Sequence, residues 1–116
     1  MITIFHNNKC GKSRCALAAL QEKNIEFQLV EYLKNTPSVS ELKSIIQKLG
    51  IKPYDLIRTK EAIFIENFKG KTYSDDEWIR ILQENPILIE RPILIKGDKA
   101  VIARSDEKIN EFLENN

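Results

Sequence analysis

Apolar and polar positions alternate along this chain with periods that switch from two residues to about 3.6 and back, and each switch marks an element. Ile2–Phe5 is an apolar, β-branched run that predicts a buried strand. From about Lys12 to Lys23 the pattern becomes helical, with Leu17 and Leu20 expected to face inward. Glu26–Tyr32 alternates again, with Phe27, Leu29 and Glu31 on one side and Gln28, Val30 and Tyr32 on the other, which predicts a second strand. Two strands joined through a helix form a βαβ unit with parallel strands and a right-handed crossover. Thr36-Pro37 breaks the pattern. Ser38 and Glu41 then have the spacing of a capping box ahead of Leu42, Ile45, Ile46 and Leu49, and Gly50 is placed to end that helix. Pro53 opens a short helical piece through Leu56-Ile57, and Lys60–Glu66 predicts another with Ile63 and Phe64 as its apolar side. Ser74 and Glu77 repeat the capping box before Trp78, Ile81 and Leu82, and Asn85-Pro86 stops that helix. Ile93–Ile95, the turn Gly97-Asp98 and Ala100–Ala103 predict a β-hairpin. Ser105, followed by Asp106 and Glu107, starts a last helix that carries Ile109, Phe112 and Leu113.

The order is therefore βαβ, a set of helices, then ββα. It predicts an α/β fold with a mixed four-stranded sheet and helices packed on it. The thioredoxin-like fold has this order, with a helical insertion between the βαβ unit and the C-terminal ββα unit. At 116 residues the chain fits a single domain, 1–116, with no internal repeat and no linker.

Composition narrows the function. With 42% hydrophobic and 30% charged residues the chain reads as an ordinary soluble protein. Its 18 basic residues nearly balance 17 acidic ones, so bulk charge gives no reason to expect nucleic acid, and any anion site must be local. No apolar run approaches the roughly 20 residues of a membrane span, and the start lacks a signal-peptide pattern, so the cytosol is the expected compartment. Two nearby cysteines are too few for a disulfide framework.

Candidate chemistry is concentrated in the first loop. Cys10 stands where a helix is expected to begin, and there unpaired N–H groups and the positive end of the helix dipole favour thiolate over thiol. A buried, inert thiol is the alternative. Gly11-Lys12-Ser13 resembles the end of a phosphate-binding P-loop, but His6 occupies the place of its first glycine. A phosphatase-type cradle needs an arginine six residues after the cysteine; Ala16 is there, and Arg14 comes too early. A bond from Cys10 to Cys15 is disfavoured, because five helical residues rise about 7.5 Å, beyond the ~6.8 Å upper limit for bridged Cα atoms. Cys15 reads instead as a partly exposed small residue. Arg58, Arg91 and Arg104 each follow an apolar run at the edge of the core, and guanidinium offers forked donors to an oxyanion. Spacing alone favours unrelated surface arginines or salt-bridge partners.

Taken together, HNNKCGKSR, LIRTKE, NPILIERPILI and VIAR resemble the successive signatures of the glutaredoxin-dependent arsenate reductase family in its short form, in order and across nearly the whole chain. The resemblance implies a thioredoxin-like fold, a catalytic Cys10, and Arg58, Arg91 and Arg104 around the bound oxyanion. It also implies a cis peptide bond at Arg91-Pro92. His6 and Ser13 match auxiliary positions; Ser13 would donate a hydrogen bond to the thiolate, and His6 would adjust local charge, although a hydrogen-bonded loop histidine is an equally good reading. The activity implied is reduction of arsenate to arsenite with glutathione as co-substrate and glutaredoxin as partner, and with no bound metal or cofactor. A monomer is the default expectation.

Three positions depart from the family pattern: Asn8 and Ser105 stand where proline is usual, and Lys12 where threonine is frequent. A thiol oxidoreductase with another substrate would keep the same residues. A redox-sensitive transcription regulator that binds RNA polymerase is a further alternative of similar outline. Its usual Cys-x-x-Cys is absent here, since Ser13 holds the second position.

Overall fold

The structure, a computed structural model, describes residues 2–7 and 11–114. Its backbone divides into two compact units, Met1–Asn35 with Arg91–Asn116 and Thr36–Glu90.

The first unit holds the sheet. Strands β1 (Ile2–Phe5), β2 (Phe27–Val30), β3 (Ile93–Lys96) and β4 (Lys99–Ile102) lie in the order β2-β1-β3-β4. β1 and β2 are parallel, with Phe5 opposite Val30, while β3 is antiparallel to β1 and to β4. This is the mixed four-stranded sheet expected from the sequence. Helices α1 (Gly11–Glu22) and α5 (Asp106–Glu114) pack on one face. There Ile2 and Ile4 of β1 and Leu94 of β3 meet Ala16 and Leu20 of α1 and Ile109 and Phe112 of α5. The hairpin turns at Gly97, in the left-handed region at φ 59°, which glycine adopts at the least cost.

Two sequence expectations shift in this unit. The second strand is shorter than Glu26–Tyr32, and Leu29 is 42% exposed, because β2 is an edge strand paired only with β1. Tyr32 lies past the strand end, is fully buried, and stacks on Phe5 at 6.4 Å between ring centroids. On α1 the buried line is Ser13, Ala16 and Leu20, whereas Leu17 is only partly covered.

The second unit is helical: α2 (Val39–Leu49), a 3₁₀ turn Pro53–Leu56, α3 (Ala62–Asn67), α4 (Asp75–Glu84) and a 3₁₀ turn Pro86–Leu88. Both expected capping boxes form, Ser38 with Glu41 and Ser74 with Glu77, each with the serine hydroxyl accepting from the glutamate N–H and the carboxylate accepting from the serine N–H. Gly50 ends α2 in the left-handed region at φ 69°. α2 and α4 pack through Leu42, Ile45 and Ile46 against the buried side of α4, and Trp78 sits among Tyr54, Phe64 and Tyr73. Among the described residues no helix is long and apolar enough to cross a membrane.

Candidate active site

The sheet register decides which chain segments share the end of β1 that precedes Cys10 in sequence. In β1–β3 pairing Phe5 lies opposite Ile93, and in β3–β4 pairing Ile93 lies opposite Ile102. The residues just beyond, His6, Pro92 and Ala103, therefore share one end of the sheet. Two hydrogen bonds extend the pairing there: His6 N–H donates to Val30 O at 2.9 Å, and Ala103 N–H donates to Pro92 O at 2.9 Å. Arg91 and Arg104 flank that end from β3 and β4. The first turn of α1 follows from the same strand end after the loop. The expected cis peptide bond at Arg91-Pro92 is present.

Cys10, the cysteine that the sequence singles out as the catalytic candidate, lies outside the described residues. His6 and Ser13, which precede and follow it in sequence, are described. His6 is 1% exposed, Ser13 is fully buried, and both carry a polar atom, His6 Nδ1 and Ser13 Oγ, with no hydrogen-bond partner among the described residues. Nε of Arg91 is in the same condition. Buried polar atoms without partners cost about 1–3 kcal/mol each by mutational measures, so a fold retains them only where something else is to be met. Arg104 is exposed, with its own N–H donating to Ile102 O at 3.2 Å.

Arg58 belongs to the other unit and is differently placed. It follows an isolated antiparallel bridge between Ile57 and Ile89. Its Nη1 is ion-paired with Glu61, and its Nε is 3.8 Å from Glu90 Oε1. The sequence reading assigns Arg58 neither carboxylate; Glu61, three residues away, is the one that spacing could have found. Cys15 is exposed and carries a free thiol, as its helical position suggests. It lines a cleft of about 450 Å³ between α1 and α5 with Ala18, Ala19, Glu22, Lys23, Ile109 and Asn110.

Comparison with known proteins adds lineage to this geometry. The chain matches the model of the ArsC family over residues 5–112. It is 41% identical over 114 residues to a Haemophilus influenzae arsenate reductase, covering 97% of this chain and 98% of that protein. A Neisseria meningitidis arsenate reductase is 38% identical over 114 residues, covering 97% of each. The solved structure of an arsenate reductase from Vibrio cholerae superposes with a TM-score of 0.85 at 38% identity, over 97% of this chain and 95% of that one.

Proposed function

The chain belongs to the ArsC family, and from that premise we propose that it reduces arsenate to arsenite through a thiolate at Cys10. Arg58, Arg91 and Arg104 neutralise the bound oxyanion. The Cys10 thiolate attacks arsenic(V), an S–As bond forms, and one oxygen leaves as water once protonated. The thiol of glutathione then attacks the Cys10 sulfur. A mixed disulfide forms, the S–As electron pair passes to arsenic, and arsenite departs as arsenic(III). Glutaredoxin returns the mixed disulfide to thiols, so a single protein cysteine suffices. A reducing cytosol supplies the glutathione. Ser13 Oγ donates to the thiolate, and His6 supplies an adjustable charge beside it.

One observation carries the reading: His6 Nδ1 and Ser13 Oγ, on either side of Cys10 in sequence, and Arg91 Nε are buried without partners among the described residues. A thiolate and a bound tetrahedral oxyanion would give them partners. The helix that starts at Gly11 adds unpaired N–H groups next to the cysteine.

The test is NADPH consumption by the protein supplied with arsenate, glutathione, glutaredoxin and glutathione reductase. Wild type is expected to turn over and Cys10→Ser to lose turnover. A wild type as inactive as Cys10→Ser overturns the reading.

A further inference from the structure

The surroundings of Arg58 lie wholly within the unit Thr36–Glu90 and follow from its backbone pairing. On either side of the Ile57–Ile89 bridge, Arg58 N–H donates to Leu88 O at 2.8 Å and Glu90 N–H donates to Leu56 O at 2.8 Å. In antiparallel pairing of this register Arg58 and Glu90 are diagonal neighbours on one face, within reach of long side chains. Glu61 comes from the other direction. Its N–H donates to Arg58 O at 3.2 Å, and it stands directly before α3, so its carboxylate folds back onto the arginine. The result is one guanidinium between two carboxylates, with Glu61 on Nη1 and Glu90 beside Nε. The three side chains are 24%, 25% and 16% exposed.

Two carboxylates exceed what one guanidinium needs for neutrality. Glu61 takes Nη1 and the Glu90 carboxylate lies 3.8 Å from Nε, which flanks the guanidinium on two sides and leaves Nη2 outside both pairs. We propose that Glu61 and Glu90 are positioning residues for Arg58, holding its guanidinium so that the Nη2 edge is presented to the oxyanion. This rests on the place given to Arg58 in the proposed function. An arginine on a long stem loses rotamer freedom when it binds an anion; here that freedom is already lost before the substrate arrives, so binding is less opposed.

The experiment uses Glu61→Ala, Glu90→Ala, their glutamine counterparts and Arg58→Ala in the full chain, with far-UV circular dichroism to establish folding. Two readouts are taken. Labelling with phenylglyoxal, mapped by peptide mass, gives the reactivity of Arg58 against the exposed Arg80 in the same molecules. Arg58 is expected to label on the order of three to ten times faster in Glu61→Ala, the range that loss of a partly buried ion pair implies, with Arg80 unchanged. Steady-state kinetics give the second readout. Each alanine variant is expected to raise the arsenate KM by a similar factor at nearly constant kcat, glutamine to restore most of it, and neither change to add anything in Arg58→Ala.

Unchanged Arg58 labelling overturns the proposal whatever the kinetics. An arsenate KM that falls or stays constant in the alanine variants, while Arg58→Ala raises it, also overturns it and leaves the role of Arg58 intact. An Arg58→Ala protein with wild-type KM removes Arg58 from the site and the proposal with it. A wild type that fails to reduce arsenate defeats the proposed function, and labelling in the presence and absence of inorganic arsenate then decides the positioning claim: protection of Arg58 that weakens in the alanine variants upholds it, and no protection overturns it.

Discussion

Replacing Ser13 by alanine should make the protein more stable and less active. Ser13 is fully buried in the first turn of α1, and its Oγ has no partner among the described residues. A buried hydroxyl without a hydrogen bond costs about 1–3 kcal/mol, and serine is about half a kcal/mol worse than alanine inside a helix. Against this stands only the small void left by one oxygen atom. A net gain of roughly 1–2 kcal/mol follows, which for a chain of this length raises the melting temperature by about 4–8 °C. Far-UV circular dichroism during thermal and urea unfolding is the suitable assay, because it follows α1 and α5 directly. Fluorescence of Trp78, the single tryptophan, reports on the other unit. If Ser13 donates to the Cys10 thiolate, kcat/KM for arsenate should fall about tenfold, the value of one hydrogen bond to a charged acceptor. A Ser13→Ala protein destabilised by about 1 kcal/mol or more would mean that the hydroxyl is satisfied within the fold, and the reasoning fails. A stabilised protein with wild-type activity would remove Ser13 from the chemistry.

Other changes have distinct signatures. Gly50→Ala should cost about 1–2 kcal/mol, read by Trp78 fluorescence in urea, because the left-handed φ of 69° and not lack of space opposes the new Cβ. The backbone N–H of Ser74, then its hydroxyl, holds the Glu77 carboxyl below its ordinary value of 4.5. The stability this gives to the start of α4 is present above that value and is lost as pH falls through the lower value in the folded protein, so urea titrations at descending pH should show a loss that Glu77→Gln lacks. Cys15→Ser should keep most arsenate turnover, while the wild-type Cys15 thiol reacts promptly with a thiol reagent in the folded state. Arg91→Lys should raise the arsenate KM more than Arg58→Lys, because Arg91 Nε has no partner among the described residues whereas Arg58 has two carboxylates beside it; the reverse order in steady-state assays would refute this.

Features set by neighbours in sequence are legible from the residues alone. Ser38 with Glu41, Ser74 with Glu77, Gly50 and the turn at Gly97 all follow from interactions that span a few residues. The order of elements is legible for the same reason, since each switch of period is local. The face of β2 is not, because the exposure of Leu29 depends on β2 having one neighbour and not two. The burial of Ser13 is half legible: it falls on the helical line of Ala16 and Leu20, yet a serine beside two lysines and an arginine suggests solvent. The partners of Arg58 divide in the same way. Glu61 is three residues away and within reach of a spacing rule, whereas Glu90 arrives only through the Ile57–Ile89 bridge.

This contrast between local and non-local polar pairing bears on where function resides. At two helix starts, Ser38 and Ser74, the chain satisfies its backbone donors reciprocally and at the exposed surface, where water would have served nearly as well. At the end of the sheet it does the opposite. His6 Nδ1, Ser13 Oγ and Arg91 Nε, drawn from β1, α1 and the approach to β3, are buried and left without partners among the described residues. Ordinary loss of stability cannot account for the placement, because apolar side chains of similar size would pack there at no polar cost. A Cys10 thiolate and a bound oxyanion, as proposed above, would give these atoms the charged partners that the described residues do not. Local rules hold where they are cheap to keep and are broken at this end of the sheet, which is why the proposed site is put there and not at the helix starts of the other unit.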